Sequence, residues 1–166
     1  MFEQSSLLDE IREMLLNSTL LINFPPAEIL SAARYFSISH VDKNEVIFGE
    51  GDMGTFMCLI TEGAVSVQKS NQDGETIELA KLKKDRTFGE MAVLDGERRS
   101  ATCLADTDCT LLILSKDSLE KMILETPRIA AKVIRAIAVS LSRRLRMADG
   151  KLVDYPSYTN TVDFQV

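Results

Sequence analysis

The chain of 166 residues contains no tryptophan and a single histidine, His40. Nothing near His40 in sequence offers a catalytic neighbour, so it is read as solvent-facing or packed near a strand end, and an enzyme is not expected. The three cysteines, Cys58, Cys103 and Cys109, are odd in number and form no CxxC pair. That excludes a disulfide framework and a zinc site. It fits a reducing, cytoplasmic setting, with Cys103 and Cys109 as small core residues. No cofactor or metal is expected. The uncharged run that ends at Ala27 is broken by Asn17, Asn23, Pro25 and Pro26, and it is too short for a membrane span. No basic region precedes an apolar stretch at the N-terminus, so no secretory signal is read there. Positive charge is also scarce: 19 Lys and Arg against 25 Asp and Glu give a net −6. A general nucleic-acid binder would be basic, so neither nucleic acid nor a membrane is an expected partner. What the chain does have is 45% hydrophobic and 27% charged residues, an ordinary balance for one folded domain.

Glycine is unevenly spread. Seven of the eight glycines lie between Gly49 and Gly96. Short apolar runs separated by glycines read as strands joined by turns. Strands are expected at Glu45–Phe48, Phe56–Ile60, Ala64–Gln68, Thr76–Ala80, Ser100–Leu104 and Thr110–Leu114. Asn71-Gln72-Asp73-Gly74 is a hairpin signal between two of them. The flanks are helical. Ser6-Leu7-Leu8-Asp9 resembles a capping box opening a helix to about Leu16. Core packing is expected of its Leu7, Ile11 and Met14. Pro25-Pro26 starts a second helix through about Tyr35. Ser115 caps a third, and Pro127 begins a long one to about Ala148 that Asp149-Gly150 ends. This is a mainly β, jelly-roll-like β-roll with flanking helices. The division expected is an N-terminal helical extension over 1–23, a domain over 24–148 and a flexible tail over 149–166.

The segment from Phe88 to Thr102 carries the chemistry. Gly89 opens a short helical turn, where free amides and the missing side chain admit an anion. Arg99 supplies a fork for phosphate oxygens. Glu90 would repel phosphate but can accept a hydrogen bond from a sugar hydroxyl. Two readings stay open on these residues alone. Either Glu90 and Arg99 join in a loop salt bridge, or they share a small nucleotide.

Phe88-Gly89-Glu90-Met91-Ala92, followed by Arg99-Ser100-Ala101-Thr102, resembles the phosphate-binding cassette of cyclic nucleotide-binding domains. Phe48-Gly49-Glu50-Gly51-Asp52 and Ile60-Thr61-Glu62-Gly63-Ala64-Val65 are similar to that family's glycine turns. The helices on either side of Pro127 resemble its B and C helices. The resemblance covers about residues 24–148. It implies a β-roll holding a cyclic nucleoside monophosphate, cAMP slightly favoured over cGMP. It places Arg99 on the exocyclic phosphate oxygens and Glu90 on the ribose 2′-hydroxyl. The amides of Gly89, Met91 and Ala92 would lie along phosphate and sugar, with Ser100 beside them. Two positions depart from the pattern: Asp85 stands where a glycine is usual, and Arg98 where a small residue or proline is.

The long helix has a broad apolar stripe of Ile129, Ala130, Val133, Ile134, Ile137, Ala138, Leu141 and Leu145. It packs on the roll, or it also meets a second copy in a homodimer. Between Pro127 and Lys151 it carries Arg128, Lys132, Arg135, Arg143, Arg144, Arg146 and Lys151 against Asp149 alone. This is a solvated face with favourable charge near a helix end, or a contact with an acidic partner or the nucleotide. Too few residues follow Ala148 for a helix-turn-helix. The expectation is therefore a stand-alone receptor that relays occupancy through its last helices to a protein partner. The alternative is a β-roll interaction module with an empty or repurposed anion pocket.

Overall fold

The structure, a computed structural model, describes residues 2–153 of the chain and its side chains over residues 6–151. Helices α1 (Phe2–Leu16) and α2 (Pro26–Ala33) precede β1 (Ser37–Val41), β2 (Val46–Phe48), β3 (Phe56–Glu62), β4 (Val65–Ser70), β5 (Thr76–Leu82) and β6 (Thr87–Phe88). A short helix, α3 (Glu90–Asp95), leads to β7 (Thr102–Ala105) and β8 (Cys109–Ser115). Helices α4 (Lys116–Glu125) and α5 (Pro127–Val153) follow. The strands form two four-stranded sheets, ordered β1-β8-β3-β6 and β2-β7-β4-β5, and every pairing is antiparallel. The expected β-roll with helices at both ends is what the chain forms. No helix of the described residues is long and apolar enough to cross a membrane.

The central strands are apolar on both faces because each face meets a different core. Side chains alternate along a strand. On β3, Met57 and Leu59 join a core with the helices, while Cys58 and Ile60 join one between the sheets. On β8, Leu112 and Leu114 face the helices and Leu111 faces the other sheet. The register Met57↔Leu114, Cys58↔Ile113, Leu59↔Leu112 keeps both sets aligned. Ile11, Leu15 and Leu21 are buried in the helical core, as are Ile129, Ala130, Val133 and Ile137 of α5. Further along α5, Leu145 is left exposed. All three cysteines are free and buried.

Local signals place most boundaries. Asn71 Oδ1 accepts from the backbone amides of Asp73 and Glu75, closing the expected β4–β5 hairpin. Ser115 caps α4 by accepting from the Ser118 amide. Thr126, between α4 and α5, donates to Tyr35 Oη at 3.3 Å, and that hydroxyl donates to Glu125 at 2.9 Å. The helix junction is thereby tied to the end of α2.

Several expectations change. Strands β1 and β6 were not anticipated. β6 has two residues, too few for any pattern, and β1 (Ser-Ile-Ser-His-Val) lies ahead of the glycine-rich block. His40 sits on β1, beside Thr110 Oγ1 at 3.3 Å. Helix α1 begins at Phe2, so Ser6 lies inside it and caps nothing. Leu7 is exposed, while Ile11 and Leu15 are buried. Helix α5 passes through Asp149-Gly150 to Val153. A glycine ends a helix by taking a left-handed φ; Gly150 does not take one. The rest of the expected tail, residues 154–166, lies outside the described residues.

The two-sided burial of β8 sets a stability test. Leu112→Ala opens a cavity in the helical core and should cost about 2–5 kcal/mol. Ile22→Ala, at a side chain 71% exposed, should stay within about 0.5 kcal/mol. Urea denaturation of the two variants measures both.

Candidate functional site

The site forms where β6 hands over to α3. Gly89 caps the helix with φ of 76°, a left-handed conformation that glycine adopts without strain. A Cβ at this position would stand 2.6 Å from Arg99 Nη1 and 3.2 Å from the Phe56 carbonyl oxygen. The empty space is used by Arg99. Its Nη1 donates to the Gly89 carbonyl at 2.8 Å and its Nη2 to the Phe56 carbonyl at 2.5 Å. The guanidinium lies 3.8 Å from the Phe48 ring centroid and 4.9 Å from that of Phe56, both within cation–π range. Phe88 packs on the other side of Phe48.

The glycine turn after β2 holds the arginine's backbone. The Arg99 amide donates to the Asp52 carbonyl, and the Gly51 amide donates to the Arg99 carbonyl. Gly51 has φ of 84°. Arg99 as a residue is 4% exposed. Burial lowers the basicity of its guanidinium, and the neighbouring Asp52 carboxylate works against that shift. The same burial pushes the Cys103 thiol up to about 12 and raises Cys58 as well, so neither thiol supplies a thiolate at neutral pH. Arg99 Nε is buried without a hydrogen-bond partner among the described residues.

Glu90 is 1% exposed, and its counter-charge comes from far along the chain. Arg144 of α5 pairs with Glu90 Oε1. Burial lowers the basicity of Arg144, and nearby Arg86 adds to that. A salt bridge between Glu90 and Arg99, left open by the sequence, does not form: the two take different partners.

Gly89, Glu90, Met91, Ala92, Arg99 and Ser100 all line one cavity of about 400 Å³. Every residue singled out for the site is therefore brought together, with Ala92 buried and Met91 and Ser100 exposed. Phe48, Val67, Leu82 and Arg144 also line it, as do the charged Asp95, Glu97 and Arg98; none of these is assigned to the site from the sequence. Arg144 had one signal, the cationic excess of α5, which does not single it out among seven cations. Phe48 preceded a recognised turn but read only as a strand residue. Of the two departures, Asp85 takes the left-handed φ of 68° that a glycine would take there. Arg98 is exposed, donates to the Gly51 carbonyl at 2.9 Å and also lines the cavity. Chemically, the cavity offers a cationic fork with an unused donor, a carboxylate that accepts, and apolar walls. Among the described residues no cluster of His, Cys, Asp and Glu is placed to hold a metal ion.

Comparison with known proteins bears on the same segment. The family model of the cyclic nucleotide-binding domain matches residues 38–126. The chain is similar to the cyclic AMP receptor protein of Thermus thermophilus, with 33% identity over 81% of this chain and 61% of that protein. It thus spans about three fifths of that relative's length. It is 26% identical to cGMP-dependent protein kinase 2 of Mus musculus over 69% of this chain and 15% of the kinase. A solved cyclic nucleotide-binding domain from Methylobacillus flagellatus superposes with a TM-score of 0.81 at 26% identity. That match covers 93% of this chain and 86% of the other.

The ion pair makes an asymmetric prediction. Arg144→Met strands a carboxylate that is 1% exposed and should destabilise by about 1–3 kcal/mol. Glu90→Gln should cost less, because the Arg144 side chain is 30% exposed and can turn to water. Urea titrations of the two single variants and the double variant give the coupling directly.

Proposed function

Because the chain belongs to the cyclic nucleotide-binding domain family, we propose that it is a sensor whose cavity takes a cyclic nucleoside monophosphate. The reading rests on one observation above all: the buried Arg99 guanidinium, held by two carbonyls, keeps its Nε donor without a partner. A buried donor without an acceptor is costly unless a ligand completes it. A singly charged phosphodiester would neutralise the guanidinium. The first-turn amides of α3 have no intrahelical acceptor, and those of Met91 and Ala92, with that of Gly89, would lie along phosphate and sugar beside Ser100. Glu90 would accept from the ribose 2′-hydroxyl. Val67, Leu82 and Met91 give apolar surface for the base. We favour cAMP over cGMP, in line with the higher identity to a cyclic AMP receptor protein than to a cGMP-dependent kinase.

The relay follows from Arg144. A sugar hydroxyl arriving at Glu90 meets a carboxylate already paired with α5. The ligand must share that carboxylate or displace the arginine. Occupancy then biases the position of α5 by the difference in affinity between the two arrangements. The exposed Leu145 and Met147 are the apolar surface through which α5 would meet a second copy or another protein. No hydrolysis of the ligand is expected, since the site holds no activated nucleophile. A reducing cytoplasm is the setting that fits three free thiols.

Calorimetry with cAMP and cGMP tests the binding. Arg99→Ala should weaken affinity by about 1.5–3 kcal/mol, and a 2′-deoxy analogue should bind more weakly than its parent. Absence of binding to the unmodified chain, or unchanged affinity in Arg99→Ala, would reject the assignment. Hydrogen exchange over residues 115–148, with and without ligand, tests the relay. Protection should change along α5; equal protection in the two states would remove the switching role and leave binding standing.

A further inference from the structure

A second cavity of about 400 Å³ lies on the other side of β6, between the α1–α2 connection and α5. Four cations line it, Arg86, Lys132, Arg135 and Arg143, against one carboxylate, Asp85. Lys132 is already committed, pairing with Glu28 at 2.5 Å. The three arginines form no ion pair among the described residues. In a chain of net charge −6, three exposed guanidinium groups without an ion-pair partner converge on one concavity beside a single carboxylate. Thr19, Asn23 and Ser140 add hydroxyl and carboxamide donors, and Leu20, Phe24 and Val139 add an apolar wall. The Thr87 and Ser140 hydroxyls, 3.4 Å apart, tie β6 to α5 there.

We propose that this cleft is a second ligand site, for a soluble organic phosphate with an apolar moiety. Guanidinium forks match phosphate oxygens in pairs, and the apolar wall takes the body of the ester. A concave site of this volume suits a small molecule rather than a flat surface. The placement also links the two cavities. Arg143 lines the cleft and its neighbour Arg144 lines the first cavity; Thr87 and Phe88 divide in the same way on β6. A phosphate held by Arg143 and Arg135 fixes the turn of α5 that carries Arg144 to Glu90. The two ligands are therefore coupled, and the coupling is reciprocal. The coupling rests on the first cavity binding cyclic nucleotide; the cleft itself does not.

The probe is inorganic pyrophosphate, titrated calorimetrically into the whole chain. One saturable site per chain is expected. Its affinity should fall about tenfold or more in Arg135→Ala/Arg143→Ala and stay unchanged in Arg128→Ala/Arg146→Ala, whose cations lie on α5 outside the cleft. It should also stay unchanged in Arg99→Ala. Absence of a saturable phase, an equal loss in both double variants, or a loss in Arg99→Ala overturns the site. Sedimentation with phosphatidylglycerol vesicles that is lost only in Arg135→Ala/Arg143→Ala would assign the phosphate to a lipid and overturn the soluble ligand. For the coupling, cAMP affinity should shift with pyrophosphate in the unmodified chain and not in Arg135→Ala/Arg143→Ala; no shift in the unmodified chain overturns it. The pyrophosphate titration decides the cleft whether or not cAMP binds, so failure of one reading is distinguishable from failure of the other.

Discussion

A guanidinium enclosed in a β-roll must be solvated by the protein itself. Arg99 meets that demand with two carbonyl oxygens and two phenyl rings. Much of the surrounding design follows. A side chain at position 89 would press on Arg99 Nη1, 2.6 Å from where its Cβ would stand. The turn at Gly49–Asp52 exists in its present form because it trades hydrogen bonds with the Arg99 backbone. Phe48 and Phe56 come from different strands yet both face this one cation, and Phe88, from a third, packs against Phe48. Gly54 serves the same region from outside: a Cβ there would collide with Ala92, so its bareness lets α3 lie against the loop before β3.

The second buried charge works differently. Glu90 sits one residue after Gly89, but its partner is fifty-four positions away on the last helix. A buried pair contributes little net stability, yet losing one member is expensive. The pair therefore ties α5 to a carboxylate that lines the cavity. Under the proposed function, that tie is the route by which occupancy would reach α5.

How much of this was legible in the sequence differs by element. The turns could be read because glycine, asparagine and aspartate each have a local reason to be there: Asn71 folds back on its own backbone, and Asp85 accepts a left-handed φ. The cassette could be read because its residues are close in sequence as well as in space. Strands β3 and β8 showed as apolar runs without alternation, and the two cores explain why. Three features were not legible, each for a physical reason. A two-residue strand such as β6 has no periodicity. Whether α5 stops at Gly150 turns on the φ of that glycine, which no neighbour dictates, and the helix runs on to Val153. The Glu90–Arg144 pair is a tertiary contact, and helical spacing on α5 cannot say which of its arginines turns inward.

Tyr35 and Thr126 tie the junction between α4 and α5, and a helix held at one end would swing as a lever about that end. At about 1.5 Å of rise per residue, Arg144 stands roughly 25 Å from that pivot. A tilt of about 5° there is invisible at Pro127 yet carries the arginine sideways by about 2 Å, close to the reach of a single hydrogen bond. Beyond it the helix continues to Val153, so any such tilt would displace its far end further still.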